Sequence, residues 1–107
     1  MNRIEVYKGN TMSFKVQLEK DKTHQPFKNG DKVIFTLFRS NKRDKHILKK
    51  EVTEFIEGVA YVDLTPQDTN LEYGVYHYNV RYIENDIHIY DIVKGVFHIK
   101  GGVPYEQ

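Results

Sequence analysis

The sequence predicts an all-β fold, an antiparallel sandwich of about seven strands, and three observations carry that expectation. Apolar and polar residues alternate with period two along several segments. Helical spacing is nowhere sustained for three turns. Clusters of Gly, Asn and Asp recur at intervals that suit short strands joined by tight connections. The 107 residues, 39% hydrophobic and 29% charged, are one domain's worth of chain with enough apolar content for a core. Residues 1–100 are expected to form that domain and residues 101–107 a short tail.

The elements follow in order. Over residues 11–19, Met12, Phe14, Val16 and Leu18 alternate with Ser13, Lys15, Gln17 and Glu19, the pattern of a strand with one wet face. Residues 31–39 (DKVIFTLFR) are β-branched or aromatic on both faces, as in a more central strand. Ala60, Val62 and Leu64 share one side of a strand over residues 59–64. In residues 75–84, Tyr76, Tyr78, Val80 and Tyr82 are assigned inward and His77, Asn79 and Arg81 outward. A last extended stretch covers residues 87–99, where Gly95 reads as a bulge in one long strand. Gly9-Asn10, Asn29-Gly30-Asp31, Glu57-Gly58 and Asn85-Asp86 supply the left-handed and Asx-turn residues that the connections need.

Residues 64–74 (LTPQDTNLEYG) break the alternation. Pro66 suits the first turn of a short helical segment from Pro66 to Leu71, with Thr65 as its cap and Asp68 as a capping or corner residue. Leu71 is expected to plug the core and Gly74 to allow the chain's re-entry into the next strand. Gly74-Val75-Tyr76-His77-Tyr78 then resembles the E–F corner of immunoglobulin-like sandwiches, in which a Tyr bonds back to the corner. Tyr76 takes that role here. Tyr78 stands where an immunoglobulin domain has a half-cystine.

Composition excludes several function classes. With no Cys there is no disulfide, thiolate metal site or cysteine nucleophile. Sixteen Lys+Arg against fifteen Asp+Glu leave a net charge of +1, without the overall basicity of many nucleic-acid binders. Lys42, Arg43 and Lys45 do form a local basic run, but no aromatic residues are interleaved for stacking on bases. Nucleic acid is therefore not the expected partner. No apolar run approaches the roughly 20 residues of a membrane-spanning helix, and no signal peptide is expected at the start.

Candidate chemistry is sparse. His77, His88 and His98 are the possible zinc ligands, yet no two of them share ligand spacing within one strand and no acid is placed to orient a ring. Asp63, Asp68, Glu72, Asp86 and Asp91 form no evident catalytic pair. No phosphate loop, nucleophile elbow or zinc-protease motif occurs. The expectation is a non-enzyme without a cofactor or a metal. Eight Tyr are many for this length. Tyr7, Tyr61, Tyr73, Tyr90 and Tyr105 read as exposed, and exposed Tyr is enriched at contacts between proteins. Tyr61, Tyr73 and Tyr90, with the basic run, are the candidate interaction surface.

Residues 58–78 (GVAYVDLTPQDTNLEYGVYHY), followed by Gly95-Val96-Phe97-His98-Ile99 and preceded by Gly9-Asn10-Thr11, resemble small structural domains of phages. The segment is similar to the N-terminal domain of baseplate upper proteins and to related immunoglobulin-like tail or head proteins of phages of Gram-positive bacteria. The likeness runs from about Ile4 to Ile99, with Asn10 where those domains place Asp. It implies a virion or prophage structural module, in the particle or the bacterial cytoplasm, whose partners are other phage structural proteins or copies of itself. The receptor-directed segments that follow in baseplate upper proteins are not carried over. A carbohydrate- or cell-surface-binding module that uses exposed Tyr is the alternative.

Overall fold

A computed structural model describes residues 3–20, 23–39, 46–85 and 87–101. Its strands are β1 (Arg3–Tyr7), β2 (Met12–Val16), β3 (Leu18–Lys20), β4 (Thr23–Gln25), β5 (Lys32–Phe38), β6 (His46–Val52), β7 (Ala60–Leu64), β8 (Gly74–Glu84) and β9 (His88–Lys100). Seven of them have five or more residues, while β3 and β4 have three each. The chain is all-β. Among the described residues no helix is long and apolar enough to cross a membrane.

Five strands form one sheet in the order β1-β9-β8-β5-β6, and β2 pairs with β7 in a second, opposed layer. The two layers make a sandwich. Valines, aromatics and leucines from both fill the space between them: Val33, Phe35 and Leu37 of β5, Val62 and Leu64 of β7, and Tyr76, Tyr78, Val80 and Tyr82 of β8 are all buried. Phe14 of β2 meets Phe35 of β5 edge to face at 5.4 Å, joining the layers directly. Without a disulfide, this packing supplies the cohesion between the sheets.

Four details differ from the sequence expectation. The single strand expected over residues 11–19 is divided at Gln17 into β2, paired with β7, and β3, paired with β4. The sandwich is not wholly antiparallel, because β1 runs parallel to β9, with Arg3 across from Val96 and Tyr7 across from Lys100. The final strand is long, as expected, but its irregularity is not at Gly95. Gly95 lies in register across from Tyr78, and the register shifts where Val80 faces Val93 and Arg81 faces Asp91, leaving Ile92 as the extra residue. Asn79 does share the outer face with His77 and Arg81, yet it is buried there, flanked in register by Thr36 and Lys94.

The turns explain themselves. Glu57 and Gly58 have φ of 52° and 76°, and Ile56 and Val59 exchange two backbone hydrogen bonds of 3.0 Å around them. Two consecutive left-handed residues make the tight turn whose twist matches flanking strands. A side chain at Gly58 would also run into Pro26. At the end of β8, Asn85 adopts φ 50°, and the amide of Ile87 donates to the carbonyl of Glu84.

Candidate functional site

The corner between β7 and β8 is the most heavily bonded connection. The amide of Thr65 donates to Asp68 Oδ2 at 2.8 Å, and the amide of Asp68 donates to Thr65 Oγ1 at 3.2 Å, a reciprocal cap. Thr69 N–H reaches the carbonyl of Thr65 and Asn70 N–H that of Gln67, which amounts to a single helical turn and no more. Pro66 begins the turn at the position where its missing N–H costs nothing. Leu71 packs against the core cluster. Gly74 takes φ 139°, a conformation that a side chain would disfavour, as the chain enters β8. The hydroxyl of Tyr76 donates to the carbonyl of Glu72 at 2.8 Å, and the Arg39 guanidinium covers its ring at 4.7 Å.

Three bonds tie this corner to the rest of the domain, one of them from Gly9 N–H to the carbonyl of Thr69 at 3.2 Å. Lys50 Nζ of β6 sits 2.8 Å from Asp68 Oδ2. Burial opposes the charge on Asp68, but Lys50 and Thr65 outweigh it and hold the carboxyl below its ordinary range. Thr69 is almost wholly buried, and its hydroxyl donates to the carbonyl of Asn10 at 2.7 Å. Nothing in the sequence marks Thr69 for this contact, since a threonine in a turn carries no signal of a partner 59 positions away.

At the opposite end Asp31 is buried and accepts three hydrogen bonds. They come from Lys28 N–H at 2.9 Å, Asn85 N–H at 3.2 Å and the Tyr82 hydroxyl at 3.2 Å. Burial, then the nearby charge of Asp31, pushes the Tyr82 hydroxyl up to about 12. This carboxylate therefore binds the β4–β5 connection to the β8–β9 turn.

The three candidate tyrosines do not converge. Tyr61 lies on the outer side of β7, beside a shallow concavity of about 290 Å³ lined also by Lys50, Glu51, Val52 and Asp63. Tyr73 stands at the corner, with Lys8 Nζ 5.2 Å from its ring centre and Gly101 against its ring. Tyr90 stacks on Tyr82 at 5.8 Å. Tyr73 precedes β8 and Tyr82 lies nine positions further along, so Tyr73 and Tyr90 are roughly 30 Å apart at about 3.4 Å per residue. Lys42, Arg43 and Lys45 lie outside the described residues, as do Asp86 and Tyr105. Tyr7 is half-buried.

The histidines and carboxylates occupy separate places. His77 faces Val96 across the β8–β9 pair, His88 begins β9 beside Tyr90, and His98 contacts the Arg3 guanidinium at 3.0 Å. Among the described residues no group of three or more His, Asp or Glu is placed to hold a metal ion. Asp63 accepts from Ser13, and Asp91 binds Arg81 at 3.0 Å, a contact that lowers its carboxyl below the ordinary range. Glu5 is lowered likewise by Arg3. A second concavity, of about 310 Å³, lies on the outer face of the five-stranded sheet against Thr36, Phe38, Lys49 and Asn79. There Asn79 donates to Asp91, and its Oδ1 has no hydrogen-bond partner among the described residues.

The exposed apolar side chains are more concentrated than the tyrosines. Ile87, Ile89 and Tyr90, 69%, 60% and 47% exposed, stand together at the start of β9. No protein-family model, curated protein or solved structure matches the chain.

Proposed function

We propose that the protein is a non-enzymatic structural module that acts through contacts with other proteins, in the tail, baseplate or head-associated parts of a phage or prophage particle. The observation that supports this reading is the apolar group Ile87, Ile89 and Tyr90, left in solvent at one end of a well-packed sandwich. Ile89 lies on one face of the strand and Tyr90 on the other, so the apolar surface wraps a strand edge, and exposed apolar surface of this kind marks contact sites. The likeness of residues 58–78 and 95–99 to phage structural domains adds the setting, by analogy alone.

The test is whether the protein travels with particles. Particles purified from an induced host by density gradient are expected to contain the chain in fixed ratio to the major tail or capsid protein. Its absence from particles, with the chain present in the surrounding lysate, refutes the reading. One observation favours carbohydrate binding as a second reading: Tyr61 borders a concavity with the polar side chains of Lys50, Glu51 and Asp63. That reading requires glycan binding that is lost in Tyr61→Ala, and no binding at millimolar sugar dismisses it.

A further inference from the structure

The edge of β9 is only partly covered. β1 pairs with β9 from Val96 to Lys100, so from His88 to Lys94 the strand has β8 on one side and, among the described residues, no strand on the other. Backbone N–H and C=O groups along such an edge are a template for another strand, and proteins usually blunt it with charge, Pro or a bulge. The terminal strands of this sheet, β1 and β6, are guarded in that way: β1 carries Arg3 and Glu5, and β6, with sequence HILKKEV, carries Lys49, Lys50 and Glu51. In β9 the bulge at Ile92 blunts one half of the open stretch. The other half, Ile87-His88-Ile89-Tyr90, has no Lys, Arg, Asp, Glu or Pro, and it holds three of the large exposed apolar side chains.

From this we infer that the edge at the start of β9, from Ile87 just before the strand to Asp91, pairs antiparallel with the same edge of a second copy of this chain, about a two-fold axis at Ile89. The usable edge is bounded by the left-handed Asn85 turn on one side and by the Ile92 bulge on the other, and its midpoint is Ile89. A two-fold through that residue sets Ile89 against its own counterpart, His88 against Tyr90 and Ile87 against Asp91. Each face then continues across the axis. On one face Ile89 already lies across from Ile83, so an isoleucine row extends from one copy into the next. On the other, the stacked Tyr82–Tyr90 pair and the neighbouring His88 ring extend into the same rings of the second copy. This register also keeps the two Asp91 carboxylates apart, whereas an axis at Asp91 would oppose them directly.

Five paired residues with their side chains fall short of the roughly 800 Å² per partner of a standard interface. The isolated pair is therefore weak, and it gains strength where many copies are held close together, through effective concentration. In that sense the inference rests on the assembly reading, although its test does not. The cysteine-free chain makes the test clean, because a single introduced thiol can only bond to its copy. Ile89→Cys places two Cβ atoms about 5 Å apart, near disulfide distance. Ile87→Cys places the thiols four positions out of register, about 13 Å apart along the strand, and Ile47→Cys is an exposed control on β6, the far edge of the sheet.

With far-UV circular dichroism confirming the fold of each variant, Ile89→Cys at about 100 μM under mild oxidation is expected to form dimer at least tenfold faster than the other two. Equal rates for the three overturn the proposal. Sedimentation of the unmodified chain is expected to show reversible dimer at high concentration, reduced by Ile89→Lys; a chain that stays monomeric at about 1 mM also overturns it. A failure here with the chain still present in purified particles removes the β9 pairing alone. Pairing without particle association removes the phage reading alone.

Discussion

Replacing Asp31 tests whether one buried carboxylate holds two loops together. Its Oδ2 accepts from Lys28 N–H and the Tyr82 hydroxyl, and its Oδ1 accepts from Asn85 N–H. A hydrogen bond to an ionised acceptor nets about 1.5–3 kcal/mol. Three such bonds are not additive, and desolvation of the carboxylate offsets part of them. Asp31→Ala is therefore expected to cost about 4 kcal/mol, much of the 5–15 kcal/mol that typical domains possess. Asp31→Asn keeps one acceptor oxygen while turning an NH₂ toward a donor, and is expected to cost about 2 kcal/mol. For a domain of this size each kcal/mol moves Tm by about 4–8 °C, so the alanine variant melts about 15–30 °C lower. Urea denaturation followed by far-UV circular dichroism gives the ranking Ala, then Asn, then wild type in increasing midpoint. If Asp31→Ala loses less than about 1 kcal/mol with an unchanged denaturant slope, the carboxylate does not tie the two loops together.

Other positions give sharper local tests. Tyr76→Phe removes the 2.8 Å bond to the Glu72 carbonyl and is expected to cost about 1–2 kcal/mol in urea denaturation, without change in the far-UV spectrum. Gly58→Ala combines φ 76° with a clash in which the new Cβ meets Pro26, Cα at 2.8 Å, so a loss of at least about 2 kcal/mol is expected, more than at Gly9, where φ 81° adds strain but nothing stands within 4 Å. Asp68 has a lowered folded-state carboxyl, so its contribution is present in full above the ordinary Asp pKa and disappears as pH falls through the folded value. Thermal melts from pH 7 to pH 2 are therefore expected to show Asp68→Asn less stable than wild type at pH 7, with the gap closing below about pH 4; a constant gap refutes the assignment.

The sandwich was legible wherever one strand face meets the core and the other meets water. Met12 to Val16 and Ala60 to Leu64 alternate cleanly because each has that arrangement, and β5 reads as central because β6 and β8 flank it. Strand β6 reads as a charge run instead. It is an edge strand whose inward Lys50 carries its ammonium to Asp68, so an apolar pattern is not required there. Strand β1 is five residues long and its partner lies 93 positions later, between Arg3 and Val96, which no local pattern reports. The Gly95 expectation failed for a related reason. A glycine marks permission for a bulge, and the register of β8 against β9 decides where the extra residue falls.

The candidate site was less legible than the fold. The corner residues Pro66, Asp68, Gly74 and Tyr76 announce themselves because turns need particular backbone chemistry. The exposed group at Ile87 and Ile89 does not, since isoleucine in a strand pattern reads as core. Only the short reach of β1 along β9 shows that, among the described residues, this part of the strand has no paired strand on that side.

The parallel pairing of β1 with β9 also sets how the domain responds to pulling. In a parallel pair the beginning of one strand and the end of the other lie at opposite ends of the ladder. Tension that enters the chain before Arg3 and leaves it after Lys100 is thus directed along the strands, and the five residue pairs from Arg3–Val96 to Tyr7–Lys100 are loaded together in shear. An antiparallel pair at the same place would open one pair at a time. Separating the two ends along that line requires the five pairs to give way together.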